Sequence, residues 1–345
     1  MKMLNTAVKL NPKIWDKDVE QVPIRKGFGE GLLAAGEADE NVVGLCADLT
    51  ESTQMHLFAK KFSNRFVEMG VAEQNLVTVA SGMAAMGKIP FCSSYAMFSP
   101  GRNWEQIRTT ICYNDRPVKI VGSHAGVSVG PDGGTHQAIE DLAIMRVLPN
   151  MCVLSPCDAI EAKKATLACA KTKTPTYIRL AREKTPVITT DDTPFEIGKA
   201  QVFYRTQNNE SRLNGAVGQV GIKNKVGIIG TGGLLHKALL AAKELEEEGI
   251  AVTVLNLATI KPLDVDAIVE LAKECGRIVT VEEHQVMGGM GSAVAELLVQ
   301  KHPTPMEFVG VNDVFGQSGK PEEILAHYGM TVEHIKQATK KLLGR

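Results

Sequence analysis

At 345 residues, with 38 lysines and arginines against 39 aspartates and glutamates, the chain is long enough for two α/β domains. Its near-neutral balance excludes a global field that would draw it onto nucleic acid or an anionic membrane. Seven cysteines, at 46, 92, 112, 152, 157, 169 and 275, form no C-x-x-C pair and sit mostly beside apolar neighbours, which predicts reduced, buried thiols. The start lacks the apolar core of a signal peptide, and no stretch approaches the roughly 20 apolar residues of a membrane-spanning helix. A cytoplasmic protein is expected.

Short apolar runs alternate with helical patterns, the signature of βαβ units and of largely parallel sheets flanked by helices. Strands are predicted at Val42 to Cys46, Arg65 to Met69, Val118 to Val121, Met151 to Leu154 and Thr176 to Leu180. In open α/β sheets ligands sit beyond the carboxyl ends of strands, and Asp48, Glu73, His124 and Arg182 fall at such ends. The helix from Gln74 to Met86 is apolar around most of its circumference, so it is expected to be fully buried, against another subunit. Ser93 to Phe98 reads as an aromatic loop, and Ser123 to Gln137 as a glycine loop with His124, Asp132 and His136 in it. From about Thr185 to Lys225 the pattern turns polar and reads as an interdomain connection with a surface hairpin around 206 to 222. A second α/β unit follows, with strands at Val226 to Ile229, Ala251 to Leu255 and Arg277 to Val281, and helices at Leu234 to Glu248 and Asp264 to Glu274. The expected division is 1–190, a connection over 191–225, and 226–345.

Each candidate residue has a plain reading beside a functional one. Glu73 is either a first-turn glutamate facing the positive end of a helix or a poorly solvated reactive carboxyl. Tyr95 and Phe98, three apart, are either one face of a core helix or a platform for a flat ring. Gly126, Gly130, Gly133 and Gly134 either shape a structural turn or let backbone approach a ligand. Metal binding at His124 and His136 is disfavoured, since they stand twelve apart with no adjacent Cys or Glu ligand set. Arg25, Ser52 and Arg182 are individually unremarkable. Gly227 to Gly233 superficially resembles a dinucleotide fingerprint but lacks its spacing, and a strand-to-helix turn explains it better.

Taken in order, Gly70-Val-Ala-Glu73-Gln-Asn75, Gly87-Lys-Ile-Pro-Phe91, Ser94-Tyr-Ala-Met-Phe98, Trp104-Glu-Gln-Ile-Arg108, Ser123-His-Ala-Gly126, Gly130-Pro-Asp-Gly-Gly-Thr-His-Gln137 and Met145-Arg-Val-Leu-Pro-Asn-Met151 resemble transketolase. The likeness runs from about Arg25 to the C-terminus. It implies a pyrimidine-binding domain followed by the family's C-terminal domain. The family's diphosphate-gripping domain, marked by a G-D-G and a later asparagine, has no counterpart in this sequence. The chain therefore resembles the C-terminal subunit of a split transketolase.

The resemblance implies a thiamine diphosphate enzyme that moves a two-carbon ketol unit from a ketose phosphate, such as xylulose 5-phosphate, to an aldose phosphate. An N-terminal partner subunit would hold the diphosphate and its magnesium (or calcium), and self-dimerisation would give an α2β2 assembly. Glu73 matches the glutamate that bonds the pyrimidine nitrogen, Phe98 the aromatic that stacks on that ring, Tyr95 a neighbouring aromatic, and Asp48 an aspartate near the cofactor. Arg25, Ser52, His124 and Arg182 match the set that binds the sugar phosphate, Asp132 the reader of the C2 hydroxyl, and His136 the residue near the donor's C1 hydroxyl. Gly101 stands where some members carry a third aromatic. Competing readings are a deoxyxylulose phosphate synthase, which shares the A-E-Q stretch; the β subunit of a 2-oxo acid dehydrogenase, which would not need the phosphate set; and a non-catalytic paralogue.

Overall fold

The computed structural model describes residues 4–206 and 224–344; all but the first residue of the hairpin expected around 206 to 222 lies outside them. In chain order the first part runs β1 (Gln21–Pro23), α1 (Ile24–Ala38), β2 (Val42–Cys46), α2 (His56–Lys61), β3 (Phe66–Glu68), α3 (Glu73–Ala85) and β4 (Ile89–Tyr95). It continues with α4 (Trp104–Gln106), a π-helical stretch at Ile107–Cys112, β5 (Lys119–Ser123), a 3-10 turn at Val127–Asp132 and α5 (Asp141–Arg146). Then come β6 (Cys152–Leu154), α6 (Ala159–Ala170), β7 (Thr176–Arg179) and β8 (Lys184–Pro186). The second part holds β9 (Gln201–Arg205), β10 (Lys225–Gly230), α7 (Leu235–Glu247), β11 (Ala251–Asn256), β12 (Thr259–Lys261) and α8 (Val265–Cys275). It ends with β13 (Ile278–Gln285), α9 (Met290–Lys301), β14 (Met306–Val311), α10 (Pro321–His327) and α11 (Val332–Leu342).

Among the described residues the larger sheet has the order β12-β6-β7-β5-β4-β2-β3, with only β12 antiparallel to its neighbour. The smaller has the order β14-β13-β10-β11-β9, parallel except for β9. Alternation along β2 divides its side chains: Val42 and Cys46 pack with α1, α2 and α6, while Val43 and Leu45 pack with α3 and the π-helical stretch. Local capping sets several helix limits. Asp158 caps α6 by accepting from Glu161 N at 2.8 Å, and α8 stops at Gly276, whose φ of 69° suits glycine.

Three features depart from the expectations, and one helix face is left uncovered. Ser93 and Ser94 are not loop residues but the buried end of β4, a central strand that Pro90 hides in a pattern reading, because proline rarely sits inside a sheet. Helix α3 buries one face within the chain, and its other face, with Asn75, Val79, Gly82 and the following Met86, is exposed in the single chain. Within the connection, β9 pairs with β11 and so belongs to the second sheet. In the other direction, β12 leaves the second unit and forms the edge of the first sheet beside β6. Lys261, on that strand, donates from Nζ to the carbonyls of Arg146 and Leu148.

The N-terminal arm adds a third tie between the units. Asn5 Nδ2 donates to Val202 O at 2.8 Å, Trp15 stands edge-on to Tyr204 with centroids 6.1 Å apart, and His236 Nε2 meets Ile14 O at 2.8 Å. All seven cysteines are buried and unpaired. Gly230 to Leu234 is a strand-to-helix turn leading from β10 into α7. No helix among the described residues is long and apolar enough to cross a membrane.

Helices α1 and α6 approach so closely that a methyl on Gly27 would overlap the Ala159 carbonyl. The Gly27→Ala variant is therefore expected to lose about 1–3 kcal/mol of stability through overpacking. Thermal unfolding reads this directly, and an unchanged midpoint would mean the two helices do not meet there.

Candidate active site

The strand order places β3 on one side of β2 and β4 on the other, and the candidate residues gather at the carboxyl ends of these strands and of β5. Glu73 is the first residue of α3, and 5% of it is exposed. A carboxylate this buried requires a partner. Arg102 supplies one, with Nη1 3.0 Å from Glu73 Oε1. The Arg102 guanidinium also lies over the Phe98 ring, 4.3 Å from its centroid. Asn103 Nδ2 donates to the Glu73 carbonyl at 2.8 Å and to Ser99 Oγ at 3.1 Å, which fastens the turn after Phe98 to the start of α3. Gly101 is sterically required in that turn, since any β-carbon would overlap the Met97 carbonyl.

Beside Glu73 and Arg102 stands a cluster of four rings. Tyr95 stacks on His124 with centroids 3.9 Å apart and on Phe98 at 6.1 Å. His136 meets Phe98 edge-on at 5.4 Å and Tyr95 at 6.4 Å. His124 adopts a left-handed φ of 58° at the end of β5, and its Nδ1 pairs with Ser123 Oγ at 2.9 Å. Burial, then the positive charges of Arg25 and Arg182, push its pKa down to about 3. The imidazole is neutral at physiological pH.

Arg25 occupies the first turn of α1 and donates from Nη1 to the Arg182 carbonyl at 2.6 Å. Its pKa is lowered, first by burial and then by Arg182. Its Nε is buried and has no hydrogen-bond partner among the described residues. Two guanidiniums beside a helix N-terminus, with one buried donor unused, are suited to an anion. Ser52 lies in the turn between β2 and α2 that packs on α1 through Gln54 and Gly29, but among the described residues no hydrogen bond joins it to Arg25, His124 or Arg182.

Asp48 follows β2 with a left-handed φ of 57°, and its side chain is exposed. Its N–H donates to Glu68 Oε1 at 2.6 Å; Glu68 also accepts from Thr50 Oγ1 at 2.8 Å and Gly70 N at 3.1 Å. Asp132 is exposed at the end of the 3-10 turn, and among the described residues no hydrogen bond or ion pair joins it to the ring cluster.

The glycine loop packs against the second unit. A side chain on Gly126 would overlap the Glu283 carboxylate; on Gly133 it would press on Ser318, and on Gly134 on the Gly316 carbonyl. These glycines leave room for the second unit. Gln137 Nε2 joins the two parts, donating to Val127 O at 2.9 Å and Gln317 O at 3.0 Å. Pattern reading missed Arg102, Glu68, Glu283 and Gln137. A signal existed for Glu283, because Val281-Glu-Glu-His284 places charge inside an otherwise apolar strand. Among the described residues no group of three or more His, Cys, Asp or Glu could hold a metal ion.

Residues 20–187 match the model of the transketolase pyrimidine-binding domain, and residues 215–335 that of the transketolase C-terminal domain. The chain belongs to the transketolase family. It is 42% identical over 315 residues to a Methanocaldococcus jannaschii protein named as a transketolase C-terminal section, covering 90% of this chain and 93% of that one. It is 36% identical to a 6-deoxy-6-sulfo-D-fructose transketolase subunit of Clostridium sp. (strain MSTE9), covering 95% and 96%. Among solved structures, a split-gene transketolase in an inactive beta4 tetramer superposes with a TM-score of 0.82 at 43% identity, covering 94% of this chain and 99% of that one. The chain carries the pyrimidine-binding and C-terminal domains of a transketolase and is similar along its length to the C-terminal section of split ones, as the collinear motifs implied.

In this transketolase-family chain the unfolded imidazole of His124 would take up a proton near pH 6.5, whereas the folded one does so only near 3. Its contribution to stability is therefore full above about 6.5 and is lost as the pH falls toward 3. Ring-proton NMR of the free subunit should show no His124 titration between pH 5 and 8. A midpoint near 6.5 would contradict the burial and charge environment described.

Proposed function

We propose that this chain supplies the pyrimidine half of a thiamine diphosphate site in a two-chain transketolase. The N-terminal subunit would hold the diphosphate with magnesium or calcium. The supporting observation is the buried Glu73 carboxylate at the head of α3, set against the rings of Tyr95, Phe98, His124 and His136. A flat, nitrogen-bearing ring needs both an apolar face and a carboxyl group at its edge, and these residues fit that need. Thiamine diphosphate, when bound, supplies the nucleophilic carbon and electron sink for breaking a carbon–carbon bond beside a carbonyl.

In this reading the chain's own residues bind and orient. Glu73 holds the proton shared with the pyrimidine nitrogen, Phe98 and Tyr95 shape the ring pocket, and Asp48 borders it. Arg25, Arg182, neutral His124 and Ser52 grip the anionic end of the sugar, while Asp132 and His136 read its hydroxyls. Two guanidiniums and a neutral imidazole recognise the charge and shape of a tetrahedral oxyanion. Phosphate is the expected group, as in transfer from xylulose 5-phosphate to an aldose phosphate. The relative named for a sulfonated fructose fits the same anion chemistry.

The test is reconstitution with a chain carrying the diphosphate domain, followed by a ketol-transfer assay from xylulose 5-phosphate to ribose 5-phosphate. The complex should be active and this chain alone inactive; activity of the lone chain would refute the shared site. Within the complex, Glu73→Gln should lower kcat on the order of 10²–10⁴-fold. Arg182→Ala should raise KM for the phosphorylated donor about tenfold or more, the size of one lost charge-assisted hydrogen bond. An unchanged KM would remove Arg182 from the anion site.

A further inference from the structure

The loop carrying His124, Asp132 and His136 is not held by its own domain alone. Three successive residues in it are each gripped by a side chain, one from the loop's own far end and two from elsewhere. Gln137 Nε2 donates to Val127 O at 2.9 Å, Ser128 N donates to Glu283 Oε1 at 2.6 Å, and Arg182 Nη1 donates to Val129 O at 2.7 Å. Of the three gripping residues, Glu283 is the one from the second sheet, on β13.

The approach is close enough to demand glycine at 126, whose φ is 88° and whose missing side chain leaves room for the Glu283 carboxylate. Ser128 is buried, so without Glu283 its N–H would be stranded away from water. The base of Glu283 is rigid as well. Its carbonyl accepts from Arg179 Nη2 at 2.8 Å, and Arg179 Nε pairs with Asp141 Oδ2 at 2.8 Å. The same Asp141 oxygen accepts from Tyr177 OH at 2.8 Å. Glu283 is buried and its Oε1 is taken by Ser128 N, so direct substrate binding does not explain it.

We propose that Glu283 is a positioning residue through which the C-terminal domain sets the conformation of the substrate-reading loop. It fixes Ser128, midway between His124 on one flank and Asp132 and His136 on the other, so that both ends are presented together. The proposal rests on the reading of residues 124–136 as the substrate loop.

The test compares Glu283→Gln, which keeps an acceptor oxygen at the same reach, with Glu283→Asp, which withdraws it by one methylene. In the two-chain complex Glu283→Asp should raise KM for the ketose phosphate about tenfold, with kcat and the half-saturating cofactor concentration little changed. Glu283→Gln should restore KM to within about twofold of the parent. A merely structural role would instead reduce the amount of active enzyme and leave KM alone. In parallel, hydrogen exchange on this chain should show faster exchange over 126–130 in Glu283→Asp but not in Glu283→Gln, with β5 and β7 unaffected. The proposal is overturned if Glu283→Asp matches the parent in exchange, or if Glu283→Gln is as impaired as Glu283→Asp. A parent complex without ketol transfer would refute the functional reading instead, and exchange would still decide the role of Glu283.

Discussion

A carboxylate held away from water must be paired, and in this chain that requirement organises the site around Glu73. In the single subunit Arg102 meets it, and in doing so lays its guanidinium across Phe98. Asn103 closes the same turn onto the Glu73 carbonyl. The head of α3, the turn after β4 and the ring platform are consequently one unit. Displacing any of them strands a buried polar group, so the platform's geometry follows from electrostatics as much as from packing. A pyrimidine entering between Glu73 and Phe98 would take over the partnership that Arg102 now fills, and this makes the lone subunit self-satisfied rather than open.

The second constraint is the interlocking of the two halves. The second unit lends β12 to the first sheet, the N-terminal arm runs back over β9 and α7, and Glu283 and the Gly316 to Ser318 segment press on the glycine loop. The C-terminal half thereby backs the loop of residues 124–136, the substrate loop of the proposed function. This also accounts for the glycines at 126, 133 and 134, whose small size serves contacts between the halves.

Much of the fold was legible because its signals are local. Val42 to Cys46 alternates between two apolar faces and appears as a strand with those limits; Asp264 and Gly276 mark the ends of α8 in the residue types themselves. What escaped depends on neighbours distant in sequence. β4 was hidden by Pro90 and by serines that are buried only because β2 and β5 flank them. The apolar character of α3 suggested burial completed by another subunit, and its outer face, with Val79 and Met86, is the one uncovered in a single chain. In the site, Tyr95, Phe98, His124 and His136 were legible from type and position, and the structure brings them together. Arg102 and Glu283 were not, since an arginine in a turn and a glutamate in a strand acquire meaning only from the partner that folding places beside them. Asp132 lies exposed on the same loop, next to Gly133, where a side chain would press on Ser318 of the second unit.

The central claim is that this chain carries one half of a divided cofactor site, organised by Glu73. Calorimetric titration of thiamine diphosphate with magnesium, into the isolated subunit and into its complex with the diphosphate-binding chain, tests it most directly. Saturable binding is predicted in the complex, at one cofactor per copy of this chain, with no comparable binding to either chain alone. Tight stoichiometric binding to the isolated subunit would contradict it.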